Sequence, residues 1–165
     1  MSLRLMLLSA IAPLLLLVLY LAGNGLSSLS QLSHREEMVS RVAAESGTVA
    51  DLVHELQKER GYSAGYSSSL GRNFRTELAA QREATDAAIL AHVADRAVLS
   101  ELAPEQVATV DDQVEALAKR RKQIDALALS VPELAGYYTG IIETLMTASN
   151  RVRLGAVMSV SMMPV

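Results

Sequence analysis

Leu52-Val53-His54-Glu55-Leu56-Gln57-Lys58-Glu59-Arg60-Gly61-Tyr62-Ser63-Ala64-Gly65 places apolar and small residues three and four apart, never in strict alternation. Continued in both directions, the spacing runs Val42, Ser46, Val49, Val53, Leu56, Arg60, Ser63, Ser67. That is the signature of one buried helix face, and it predicts a long helix over about 26–69.

The rest of the chain follows the same grammar. Gly71-Arg72-Asn73 predicts a turn, since Gly suits a helix C-terminus and Asn an N-cap. A second helix is expected over about 74–100. Ala103-Pro104-Glu105 restarts the chain with Pro and an acid in a first turn, opening a third helix over about 104–129. Ser130-Val131-Pro132-Glu133 repeats that signal and opens a fourth helix to about 160. No stretch shows sustained strand alternation. Short connections between long helices imply antiparallel neighbours, hence an up-down four-helix bundle.

Three of the inward stripes are interrupted by arginine. Arg60 interrupts the first helix. In the second the stripe is Leu78, Arg82, Thr85, Ile89, and in the third Val107, Val110, Val114, Leu117, Arg121, Ile124, Ala128. Arg60 lies 11 residues before Gly71, Arg82 11 after it, and Arg121 10 before Val131. At a helical rise of about 1.5 Å per residue, all three sit roughly 15 Å from one end of the bundle, with the fourth helix passing near Ile142. A desolvated guanidinium is costly unless answered by a carboxylate or a bound anion. Small residues around Arg60 (Gly61, Ser63, Ala64, Gly65) leave room for a ligand. A planar oxyanion suits such a layer, because each guanidinium offers parallel N–H donors and stays charged at physiological pH. Ser63, Thr85 and Tyr138 could add hydroxyl donors. The competing answer is internal: Arg82 and Asp86 are four apart and could pair, and Lys119-Arg120-Arg121-Lys122 also reads as a solvated face.

The N-terminus differs in kind. Leu5 to Ala22 is apolar but for Ser9 and Pro13, long enough to span about 27 Å of a bilayer core of roughly 30 Å. Arg4 precedes it and no Lys or Arg follows until Arg35, so the positive-inside rule puts residue 25 onward outside the cytoplasm. A cleaved signal peptide shares the basic start, but Ala22-Gly23-Asn24-Gly25-Leu26 is a poor small-x-small cleavage site. The expectation is a single-pass anchor over 1–24 in a bacterial inner membrane, with an extracytoplasmic domain over 25–165.

Composition narrows the function. Hydrophobic residues make up 50% of the 165, and mean hydropathy is +0.24, much of it from the first 22 residues. Aromatics are 4% with no Trp, which argues against a large aromatic-lined substrate pocket. The net charge of -3 argues against nucleic acid. Cysteine is absent, which removes disulfides and thiolate chemistry. His34, His54 and His92 lack ligand spacing, so neither a metal nor another cofactor is expected. No nucleophile or acid–base pair stands out, and no enzyme is expected.

Four ordered segments resemble the NIT family, the nitrate- and nitrite-sensing domains of bacterial receptors. Leu56 to Gly65 matches its LQ-x-ERG-x-SAG signature, and Gln81-Arg82 with Thr85-Asp86 its QR-x-x-TD segment. Arg121 with Ile124-Asp125 is similar to its R-x-x-ID helix, and Tyr137 to Ile142 to its YYT-x-I-I helix. The resemblance implies an all-helical sensor in front of kinases, chemoreceptors, cyclases or antiterminators. It also implies anion binding through arginine, with Arg60 the best-matched position. Arg82, Arg121, Ser63 and Thr85 extend that site by geometry. Members usually continue into further helices, a second membrane segment and an output module, so a chain ending at Ser161-Met162-Met163-Pro164-Val165 is expected to carry a sensor incomplete at its C-terminus. A homodimer is expected through Leu29 and Leu32. The alternative function is a dimerising helical spacer or partner-protein module with no small-anion ligand.

Overall fold

A computed structural model describes residues 3–162, with side chains described mainly over 40–155. The described residues are all-helical: α1 (Leu3–Ser68), α2 (Arg75–Asp95), α3 (Ala97–Leu102), α4 (Pro104–Asp125) and α5 (Val131–Met162). They divide into two compact units, Met1–Val39 and Ser40–Val165.

In the first unit Leu16, Tyr20 and Leu21 are each more than half exposed. The other side chains of the expected anchor, and those of Leu29 and Leu32, lie outside the described residues. Among the described residues no helix is long and apolar enough to cross a membrane.

The second unit is built from antiparallel neighbours. On α1 and α2, Glu55 meets Gln81 and Thr85 while Tyr66 meets Arg75. On α2 and α4, Arg82 meets Asp125 while Arg96 meets Asp111. On α4 and α5, Arg120 stacks on Tyr137 while Gln113 lies against Gly140. The chain returns to α1 where Arg60 and Glu59 meet Thr139 and Tyr138. The core includes Leu52, Leu56, Leu78, Leu117, Ile124, Leu134, Ile141 and Leu145, all at most 2% exposed.

Two features depart from the sequence reading. The first is the phase of α1. Its described buried residues are Glu45, Val49, Leu52, Leu56, Glu59, Ser63 and Tyr66, in alternating steps of four and three, and after them Ser67, which was expected inside. That spacing is the 3.5-residue repeat of coiled-coil packing. Val49, Leu56 and Ser63 were expected inside, but the other half of the seam is Leu52 and Glu59 rather than Val53 and Arg60, which are only partly buried.

The second is a break in the helix expected over 74–100. It ends at Asp95, and the one-and-a-half-turn α3 follows. The buried Glu45 carboxylate explains why this break holds. It accepts the Val98 and Leu99 N–H groups at 3.1 and 2.7 Å, capping from across the fold a helix whose own N-cap residue, Arg96, offers no side-chain bond. Among the described residues there are thus five helices, where four were expected beyond the anchor.

The turns are chemically explicit. α1 ends with Gly71 N–H on the Tyr66 carbonyl and Leu70 N–H on that of Ser67, and α4 ends the same way at Ala128 and Leu127. These are Schellman closures. Leu70 and Leu127 carry the left-handed conformation at φ 55° and 53°. Asn73 does not cap α2; that position falls to Phe74, at φ 65°, whose half-exposed ring lies across Gly65. A Cβ on Gly65 would sit 2.7 Å from that ring, so the glycine admits the close approach. At α5, Ser130 and Glu133 exchange hydrogen bonds as a capping box, and the Glu133 carboxyl is held below its ordinary range by the Ser130 hydroxyl and N–H.

Candidate functional site

Two of the three expected arginines, Arg82 and Arg121, meet around a carboxylate that the stripe reading left outside, and Arg60 does not join them. Glu59 is wholly buried on α1. Arg121 reaches it from α4 with two parallel bonds, Nε to Oε1 at 2.8 Å and Nη2 to Oε2 at 2.9 Å. Tyr138 donates its hydroxyl from α5 to Oε1 at 2.8 Å. Arg82 approaches from α2, its Nε 3.9 Å from Oε1. The layer meets α5 at Tyr138 and Thr139, about one turn before Ile142.

The outer ends of the two guanidinium groups are engaged as well. Arg82 forks the half-exposed Asp125, at 3.0 Å from Nη1 and 2.9 Å from Nη2. Arg121 Nη1 donates to Asp86 at 2.7 Å. Arg82 and Asp86 therefore pair across to α4 rather than with each other along α2.

Electrostatics follow from burial and these partners. Burial opposes the charge on Arg121, but the hydrogen bonds and charges of Glu59 and Asp86 outweigh it and raise its pKa. The Tyr138 phenol is held well above its usual value, by burial first and then by the charge of Glu59. Tyr137 is pushed up to about 12, chiefly by burial.

The remaining expected residues separate. Arg60 donates to Thr139 Oγ1 at 3.0 Å and takes no part in the Glu59 bonds. Thr85 is buried, but its hydroxyl donates to backbone carbonyls, that of Gln81 at 3.0 Å and that of Glu55 at 3.4 Å. Ser63 is wholly buried, and its hydroxyl lies against the Tyr138 phenol. Arg82 Nε is buried and makes no hydrogen bond. A half-open cleft of ≈ 190 Å³ lies alongside, lined by Tyr66, Arg75, Leu78, Ala79, Arg82 and Asp125. Among the described residues no group of His, Cys, Asp or Glu is placed to hold a metal.

Sequence reasoning missed Glu59 and Glu45. One signal was available: both acids continue the alternating four-three run through Val49, Leu52, Leu56 and Ser63.

A cluster of donors around one carboxylate is chemistry suited to a small oxyanion. The family model described as nitrate and nitrite sensing matches residues 51–158, a span containing every residue of the cluster. No curated protein and no solved structure matches the chain. With well over half of its length covered, the chain belongs to the nitrate- and nitrite-sensing NIT family, a family of sensory domains rather than of enzymes.

Proposed function

We propose that this chain is the sensory part of a bacterial signal-transduction receptor that binds nitrate or nitrite at Arg60, Arg82 and Arg121, with Ser63 and Thr85 beside them. The observation that carries this reading is the convergence of Arg121, Arg82 and Tyr138 on one wholly buried carboxylate. That is a preformed set of donors for a planar anion. Arg60, bonded to Thr139 on the neighbouring face, supplies a further cation.

Ligand exerts a signal only by favouring one helix arrangement over another. Arg82 and Arg121 lie on α2 and α4, so an anion between them and α1 draws three helices together. In this reading the shift passes along α1 to an N-terminal membrane anchor, Leu5 to Ala22, with the sensor extracytoplasmic and the chain a homodimer.

Calorimetric titration of the chain with nitrate, against chloride at equal ionic strength, tests the proposal. Saturable heat specific to nitrate or nitrite supports it, and a folded sample giving none refutes it.

One observation favours a second reading, a dimerising spacer or partner-protein module. Asp125, Asp86 and Glu59 already answer Arg82 and Arg121 internally. A spacer gains no ion-specific stability, whereas a binder gains RT ln(1+[L]/Kd).

A further inference from the structure

We infer that Glu59 is a resident occupant of the oxyanion cradle, so that ligand binding is an exchange in which a small planar anion replaces the chain's own carboxylate. The inference rests on the anion-binding reading above and names how that site is controlled.

Geometry comes first. A carboxylate presents two coplanar oxygens to a guanidinium, as nitrate, nitrite and formate do. Glu59 uses both on the parallel donors of Arg121 and shares Oε1 with Tyr138. The cradle nevertheless holds more donors than those two oxygens satisfy. Arg82 Nε, buried, stays 3.9 Å from Oε1 and makes no hydrogen bond. A buried donor with no hydrogen bond is uncommon and calls for an explanation. A freely placed anion can settle among these donors, whereas Glu59 is tethered to α1 and cannot move toward Arg82 without moving the helix.

Charge makes the exchange economical. Arg82, Arg121, Asp86 and Asp125 balance one another, and Glu59 adds one negative charge. A monovalent anion entering as the carboxylate leaves keeps the layer's charge constant. The displaced Glu59 then has to rotate out of the α1 seam, which couples occupancy to the position of that helix.

The test uses the full chain with Glu59→Ala and Glu59→Gln, melted by far-ultraviolet circular dichroism in chloride, nitrate or formate at equal ionic strength. Glu59→Ala leaves Nε and Nη2 of Arg121 without their carboxylate, so its Tm in chloride falls by roughly 10 °C. Nitrate or formate then restores much of the loss. Equal stability in all three salts overturns the inference, and so does a variant left unfolded in all three. Glu59→Gln keeps the side chain's size but turns an amide N–H₂ toward Arg121, so nitrate displaces it and binds roughly tenfold or more tighter than to wild type. Equal or weaker binding overturns the inference. The wild-type titration keeps the two ideas apart. If wild type binds nitrate and neither variant responds, the exchange fails and the sensing reading stands. If Glu59→Ala is rescued and Glu59→Gln binds while wild type does not, the cradle stands and the carboxylate is never displaced, which sinks the sensing reading.

Discussion

Arg82 and Arg121 stand in reciprocal relation. Each donates to the other's backbone carbonyl at 3.4 Å, and each engages the carboxylate four residues beyond the other. What breaks the symmetry is Glu59, which takes two short bonds from Arg121 and only a 3.9 Å approach from Arg82.

That asymmetry separates the two arginines energetically. Arg121→Ala strips a wholly buried carboxylate of its cation, a loss of about 3–5 kcal/mol. Arg82→Ala breaks a pair with the half-exposed Asp125, which solvent screens to about 1 kcal/mol. Urea denaturation of the two variants measures the difference, and equal losses would contradict the asymmetry.

The same carboxylate shows where sequence reasoning stops. The four-three spacing through Val49, Leu56 and Ser63 fits two phases of one helix, one adding Leu52 and Glu59, the other Val53 and Arg60. Only tertiary partners choose between them. A charged residue enters the seam when its charge is answered, and Arg121 and Tyr138 arrive from 62 and 79 residues away. Turns were legible because their chemistry is local: Gly71, Pro104 and the Ser130–Glu133 box each mark a boundary. The break at Arg96 was not, because Glu45, which caps α3, lies more than 50 residues upstream. Arg82 and Arg121 were found for the converse reason. Each interrupts an apolar stripe, and a buried guanidinium requires a partner whatever that partner is.

Left-handed leucines offer a route to added stability. Leu70 sits at φ 55° and is 69% exposed, so it contributes little burial at a position where Asn or Gly is preferred. Leu70→Asn relieves that strain while preserving the Gly71 and Leu70 N–H bonds, and is expected to stabilise by about 0.5–1 kcal/mol. A lowered urea midpoint would show that Leu70 makes a contact worth more than its strain.

His92 gives the fold a dependence on pH. Burial first, and then the positive charge of Arg96, hold its imidazole below the ordinary 6.5, with Asp111 pulling the other way. The unfolded chain therefore takes up a proton that the folded chain refuses. Stability from this group is full above 6.5 and is lost as pH falls from 6.5 through the lowered folded value. Glu45 has the opposite sign. Burial raises its carboxyl above 4.5 despite the Leu99 and Val98 N–H bonds, so its contribution is present below 4.5 and lost as pH rises through the raised value. Urea midpoints across pH should show His92→Leu losing the acid-side decline and Glu45→Gln steepening it. A wild-type slope in His92→Leu would remove His92 as the cause.

Arg60 divides folding from sensing. Its hydrogen bond goes to Thr139 at 3.0 Å in a partly buried setting, and Glu59 is held by Arg121 and Tyr138 without it. Arg60→Ala should therefore cost about 1–2 kcal/mol and keep its helical circular dichroism. On the proposed function the same variant loses its nitrate heat in calorimetry, because a cation of the proposed site has gone while the Glu59 cradle is intact. Thr139→Val removes the acceptor and frees the guanidinium, so it should leave nitrate binding equal or stronger. If Arg60→Ala titrates with nitrate as wild type does, Arg60 is a structural link between α1 and α5, and the anion site contracts to Arg82, Arg121 and Tyr138.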